Sequence, residues 1–205
     1  MLDSKGFDLW ADGYDKSVQI SDESQEYPFA GYKDVLNTVY KIVRGKTGTI
    51  LDIGFGTGVL TKKLYDDGYN ITGIDFSQRM IEIAQEKMPT AKLIQYDFTK
   101  GLPKTLEDIK FDWIISTYAI HHLTDEEKKT FICELMKHLN PGGAIVFGDV
   151  AFQTREDLEQ AKRKDQDQWD NEEFYLVEDE IKEMFPELEI NFIQISYCSG
   201  VMTIK

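Results

Sequence analysis

The stretch "LDIGFGTGVL" at residues 51–60 sets Gly54, Gly56 and Gly58 at alternate positions behind a short apolar run. That run, TILDI (49–53), reads as a strand buried on both faces, because its apolar residues are nearly continuous rather than alternating. Helical spacing takes over from Val59 to Tyr65 and stops at Gly68. Glycines between a strand and a helix admit positive φ and let a ligand approach the backbone closely. One glycine would serve a tight turn. Three within five residues point to a bound ligand.

Outward from this turn the same alternation continues. NITGID (70–75) is a second strand, and Ser77 caps a helix with Met80, Ile81, Ala84 and Met88 on one face, followed by Pro89. KLIQYD (92–97) and FDWIIST (111–117) read as strands three and four. Thr124 and Glu127 form a capping box before a helix that points Phe131, Leu135, Met136 and Leu139 inward. Asn140-Pro141-Gly142-Gly143 reads as a turn, and AIVFGDV (144–150) as strand five ending at Asp149. A helix from Tyr32 to Arg44 precedes this core, with Val35, Leu36, Val39, Tyr40 and Val43 at helical spacing and Gly45 after it. An acidic helical stretch, roughly 154–185, follows the core. The last two runs, LEINFIQIS (188–196) and YCSGVMTIK (197–205), lie too close together for a parallel crossover. They pair as an antiparallel hairpin or belong to different sheets. The pattern defines an α/β fold, a parallel sheet with helices on both faces.

The chain's 205 residues suit one domain, divided into an N-terminal helical cover (1–45), a ligand-binding core (46–150), a helical insert (151–187) and the hairpin (188–205). A net charge of -14 repels nucleic acid and anionic lipid, which excludes both as general partners. Lys162-Arg163-Lys164 is short and lies among acids, so it reads as a solvated helix face. No apolar run approaches the ~20 residues of a membrane span, and the N-terminus lacks a secretory pattern. Cys133 and Cys198 show no paired spacing, which fits a reducing cytoplasm. Cys133 falls on an apolar helix face and is expected to be buried.

The glycine register separates possible ligands. A dinucleotide fingerprint, G-x-G-x-x-G/A, would need Gly or Ala where Val59 stands. Asp75 ends the second strand about 20 residues on, where a carboxylate holds ribose hydroxyls in either nucleotide class. Asp52 lies just before the loop. A carboxylate there repels a pyrophosphate and attracts an ammonium or a sulfonium.

Asp52-Ile53-Gly54-Phe55-Gly56-Thr57-Gly58 resembles the D/E-x-G-x-G-x-G motif of class I S-adenosylmethionine-dependent methyltransferases. The resemblance implies a seven-stranded, mostly parallel sheet in the order 3-2-1-4-5-7-6 with strand seven antiparallel. It implies S-adenosylmethionine as cofactor and methyl transfer by in-line displacement at the sulfonium. It assigns the ribose to Asp75 beside Phe76, and the adenine to Asp97 and Phe98. Ser116, Thr117 and Tyr118 open the segment STYAIHHL (116–123), which would lie beneath the methionine and sulfonium. FDLWADGYDKSV (7–18) resembles the N-terminal cover of small bacterial members and makes Tyr14 a cofactor contact; Phe7, Trp10 and Tyr14 also share one helical face.

His121 is favoured for the methyl-transfer cleft, with His122 packing inward. Adjacent histidines rarely share one metal, and no Cys or His partner lies at metal spacing, so no metal is expected. His121 and Asp149 are the candidate general bases, needed only if the acceptor carries a proton; Asp149 could equally bind an amine acceptor or cap the next helix. Trp169, Phe174 and Tyr175 line an acceptor pocket or anchor a lid. The expected partner is a small-molecule acceptor, with the chain a monomer or homodimer. Two competing readings remain: a non-catalytic S-adenosylmethionine-binding protein, and a nicotinamide-dependent oxidoreductase.

Overall fold

The structure is a computed structural model that describes residues 26–45 and 48–205. The N-terminal cover, including Phe7, Trp10 and Tyr14, lies outside the described residues. Helix α1 (Tyr32–Val43) leads into β1 (Thr49–Ile53), α2 (Val59–Asp66), β2 (Asn70–Asp75), α3 (Gln78–Lys87) and β3 (Lys92–Gln95). Then come β4 (Phe111–Thr117), α4 (Asp125–Lys137), β5 (Leu139–Phe152) and α5 (Arg155–Lys164). The chain closes with β6 (Leu176–Val177), α6 (Glu178–Met184), β7 (Ile190–Gln194) and β8 (Ser199–Ile204).

The strands form one sheet in the order β3-β2-β1-β4-β5-β8-β7. Neighbours from β3 to β5 pair in parallel, and β8 runs antiparallel between β5 and β7. This is the expected order once the two-residue β6, which pairs with the end of β5, is set aside. That extra strand is too short to carry a periodic signal. Two hydrophobic layers sandwich the sheet: α1, α2 and α3 contribute to one, and α4 and α6 to the other. Residues within one strand divide between them. Ile50 packs with Val39 and Leu64, while Leu51 and Ile53 pack with Phe131 and Leu135.

Local chemistry sets the element ends. Ser77 Oγ accepts from Met80 N at 3.2 Å to start α3. Thr124 Oγ1 accepts from Glu127 N at 3.3 Å while Glu127 Oε2 accepts from Thr124 N at 2.8 Å, completing the capping box of α4. Two expectations need correction. Asn140-Pro141-Gly142-Gly143 does not separate helix from strand. It is an excursion within β5, whose register on β4 jumps between Phe111↔Leu139 and Trp113↔Ala144. Leu139 therefore belongs to β5 rather than to the preceding helix. Cys133 is exposed and Cys198 buried. The inward face of α4 is set by Lys128, Phe131, Ile132 and Leu135, and position 133 turns about 100° past it.

Candidate functional site

Strand order reverses direction between β1 and β4, and the carboxyl ends of those strands frame a crevice, the usual ligand position in such a sheet. A cleft of about 690 Å³, open to solvent, lies there. The glycine turn after β1, the end of β2 and the segment after β4 form its walls.

The three glycines do different work, all at positive φ. A Cβ on Gly54 would meet the Ala119 methyl at 2.5 Å, so this glycine lets the loop close on the β4 segment. A Cβ on Gly58 would meet Met88 Cε at 3.0 Å, so this one lets α2 start against α3. A Cβ on Gly56 would meet nothing within 4 Å. Its missing side chain leaves open cleft, which is where a ligand can reach the backbone.

Asp75 joins these parts. Its Oδ2 accepts from Gly56 N at 2.9 Å and its Oδ1 from Ser77 N at 2.9 Å. Asp75 also lines the cleft, which puts its carboxylate where a ligand hydroxyl can reach it. Asp52 lies beneath the loop, outside the cleft lining. Thr61 Oγ1 donates to its Oδ2 at 2.6 Å, and its buried Oδ1 has no hydrogen-bond partner. Burial pushes the Asp52 carboxyl up to about 7 against the Thr61 hydrogen bond, with the charge of Asp75 adding to the rise. Among the described residues, no lysine or arginine lines the cleft. Lys87 reaches the loop from outside, donating to Thr57 O at 2.9 Å.

Of the residues singled out from sequence, Gly54, Phe55, Gly56, Thr57, Asp75, Phe76, Phe98, Thr117 and Tyr118 line the cleft. Ser116 does not; its hydroxyl donates to Ile53 O at 2.9 Å and ties β4 to β1. Asp97 does not either. It accepts from Thr99 N at 3.1 Å, and its other oxygen lies 3.0 Å from Lys100 Nζ. Burial opposes its ionisation, but the bonds from Thr99 and Lys100 outweigh that and hold it below the usual carboxylate range. Tyr118 adopts φ 51, unusual for a bulky residue and a form of strain that concentrates at functional sites. Phe29 and Tyr32 pack on its ring at centroid distances of 5.3 and 5.1 Å.

The histidine expectation is reversed. His122 lines the cleft, and His121 is buried behind it. Asp149 is the reason. It sits inside β5, which runs on to Phe152, and is almost wholly buried. Its Oδ1 lies 2.7 Å from His121 Nδ1, and its Oδ2 accepts from Ile120 N at 3.1 Å. It neither lines the cleft nor caps a helix; it orients the histidine turn. Burial disfavours the His121 cation, but Asp149 and Glu173 outweigh it and raise the imidazole pKa. Burial, with the neighbouring His121, lowers His122 to about 4.

Glu173 escaped the sequence reading because nothing local marks it. It arrives because Phe174 N donates to His121 O at 2.9 Å, laying this segment across the histidine turn. Trp169 and Tyr175 anchor the segment: Trp169 stacks on Tyr27 at 4.9 Å, and Tyr175 meets Trp169 edge-on at 5.1 Å. Phe174 is exposed. Sequence reasoning also passed over Tyr32, Leu36 and Met80, which line the cleft from helix faces that read as ordinary core.

Comparisons with known proteins agree with this geometry. Residues 50–143 match a methyltransferase domain family. An uncharacterized methyltransferase of Geobacillus sp. (strain WCH70) is 44% identical over 157 residues, covering 76% of this chain and 70% of the relative. One from Oceanobacillus iheyensis is 40% identical over 150 residues, covering 73% and 68%. The DhpI–SAH complex superposes with a TM-score of 0.71 at 19% identity, covering 98% of this chain and 94% of that one. Magnesium protoporphyrin IX methyltransferase from Synechocystis PCC 6803 with bound SAM gives 0.66 at 18% identity, covering 100% and 97%. The chain belongs to the class I S-adenosylmethionine-dependent methyltransferases.

Proposed function

We propose that this methyltransferase moves a methyl group from S-adenosylmethionine to a small-molecule acceptor bound beside His122. The observation that carries the reading is Asp52: a buried carboxylate with one oxygen unpartnered, under a glycine turn that opens onto a cleft lined, among the described residues, by no lysine or arginine. Such a seat suits a cationic nucleoside and opposes a diphosphate. The cofactor supplies a methyl already activated on its sulfonium. Asp75 holds the sugar hydroxyls, and the Gly54–Gly58 turn, backed by Asp52, faces the ammonium of the amino-acid end. Phe76, Met80 and Phe98 give the nucleobase an apolar slot. Thr117, Tyr118 and Ala119 support the reacting end. Alignment of this kind contributes up to ~7–11 kcal/mol to a displacement.

In this reading Asp149 acts through His121 rather than on the acceptor. Tyr32 and Leu36 of α1 wall the cleft beside the acceptor space, which favours a small molecule. The acidic chain disfavours nucleic acid, and among the described residues no helix is long and apolar enough to cross a membrane. We place the enzyme in the cytoplasm as a monomer or homodimer. The test is a panel of small hydroxyl, amine and thiol acceptors incubated with enzyme and S-adenosylmethionine. Release of S-adenosylhomocysteine with a small acceptor is expected. Release only with protein or RNA substrates would contradict the assignment.

A further inference from the structure

We propose that His121, His122 and Glu173 form a binding site for a divalent transition-metal ion at the acceptor end of the cleft. Sequence spacing offers the two histidines no third ligand, but the fold supplies one. Each of the three residues has a donor atom within 4.8 Å of the others'. Adjacent histidines point to opposite sides on a strand. Here they occupy a 3₁₀ turn, Ile120–His122, where successive side chains are only about 120° apart. Their rings meet edge to face at 66° with centroids 4.3 Å apart.

The His121–Glu173 spacing supports an ion more than a direct bond. His121 Nε2 lies 3.5 Å from Glu173 Oε1, beyond a good hydrogen bond. Two donors at about 2.1 Å from a tetrahedral ion stand about 3.4 Å apart. The donors lie within 4.8 Å of one another, so a pair at that limit closes by roughly an ångström or more, through side-chain rotation, to reach tetrahedral spacing.

The supporting residues fit as well. Metal-binding imidazoles usually give their other nitrogen to a carboxylate. Asp149 Oδ1 stands 2.7 Å from His121 Nδ1, which leaves Nε2 facing Glu173. Asp149 is itself fixed by Ile120 N and Val150 N. Glu173 presents one oxygen to the site while its other accepts from Tyr175 at 2.8 Å, and Tyr175 is held by the Tyr27 hydroxyl. Two imidazoles and one carboxylate suit zinc, cobalt, iron or manganese over calcium or magnesium. Three protein ligands leave a position open. His122 lines the cleft, so the site adjoins the acceptor space. The open position would take a hydroxyl or carboxylate oxygen of the acceptor and lower the pKa of a hydroxyl there. This role rests on the methyl-transfer reading; the site itself does not.

The experiment uses the full chain carrying Cys133→Ser, which removes an exposed thiol that would bind metal on its own account. After chelation and dialysis, Co²⁺ is titrated while its visible spectrum is followed, and Zn²⁺ is titrated by calorimetry. One ion per chain is expected, with affinity reduced at least tenfold in Glu173→Gln and in His122→Asn. S-adenosylhomocysteine binding is measured on the same samples. Retained binding in Glu173→Gln shows that the variant is folded, and failure of the parent chain to bind would sink the cofactor reading without touching the metal titration. No stoichiometric ion, or an affinity unchanged by Glu173→Gln, would overturn the proposal.

Discussion

Asp52 and Gly56 are the residues on which the cofactor site turns. The Asp52 carboxyl moves from an ordinary 3.8 to about 7 because folding buries it. Between about pH 4 and 7 the folded ligand-free protein therefore keeps a proton that the unfolded chain has lost. Stability from this source is complete below the lower value and falls as pH rises through the upper one. Denaturant titrations across that window should show the decline, and Asp52→Asn should flatten it. An ammonium group beside Asp52 favours the ionised form, so affinity for S-adenosylhomocysteine, which keeps the amino-acid ammonium, should rise from pH 6 to pH 8 in the parent and not in Asp52→Asn. Equal affinity at both values in the parent would separate Asp52 from the ligand. Asp75→Ala loses charge-assisted hydrogen bonds and should weaken S-adenosylhomocysteine binding by one to a few kcal/mol, about five- to a few hundredfold by calorimetry. Gly56→Val projects into open cleft, where nothing lies within 4 Å. It should cost binding more than that, beyond the backbone strain at φ 56 that also lowers its melting temperature. Normal binding in Gly56→Val would contradict close backbone approach.

At the scale of elements, the capping box of α4 makes a stability prediction. Thr124→Ala removes the Oγ1 acceptor at Glu127 N and should cost about 1 kcal/mol, a drop of roughly 2–4 °C in melting temperature by calorimetry. An unchanged melting temperature would mean that water serves the helix end equally well. This cap was legible because its chemistry is local, as were β1, β2 and β4, whose apolar runs coincide with the strands end to end. The glycine turn, Asp75 and the β4 segment were legible for the same reason. All but one of these errors fall where a distant partner decides. The strand β5 absorbs a Pro-Gly-Gly stretch because β4 pairs on both sides of it. His121 turns inward because Asp149, 28 residues away, holds its ring. Glu173 reaches the histidines through a backbone bond across the fold. Cys133 turned on helix phase alone, and a shift of one residue was enough to misplace it.

The whole molecule is a twisted sheet whose order reverses at one crevice, and that crevice gathers the glycine turn, Asp75 and the β4 segment. A ligand that binds only this folded arrangement stabilises it by about 2.7 kcal/mol at a hundred times its dissociation constant. S-adenosylhomocysteine at that excess should therefore raise the melting temperature by several degrees. The same crevice in a nicotinamide enzyme would have to accept a diphosphate, which Asp52 and the absence of lysine and arginine from the described lining oppose. The most direct measurement is a calorimetric titration of the purified chain with S-adenosylhomocysteine and, separately, with NADH. The account predicts one S-adenosylhomocysteine bound per chain, weakened in Asp75→Ala, with no measurable heat from NADH; NADH binding in the absence of S-adenosylhomocysteine binding would contradict it.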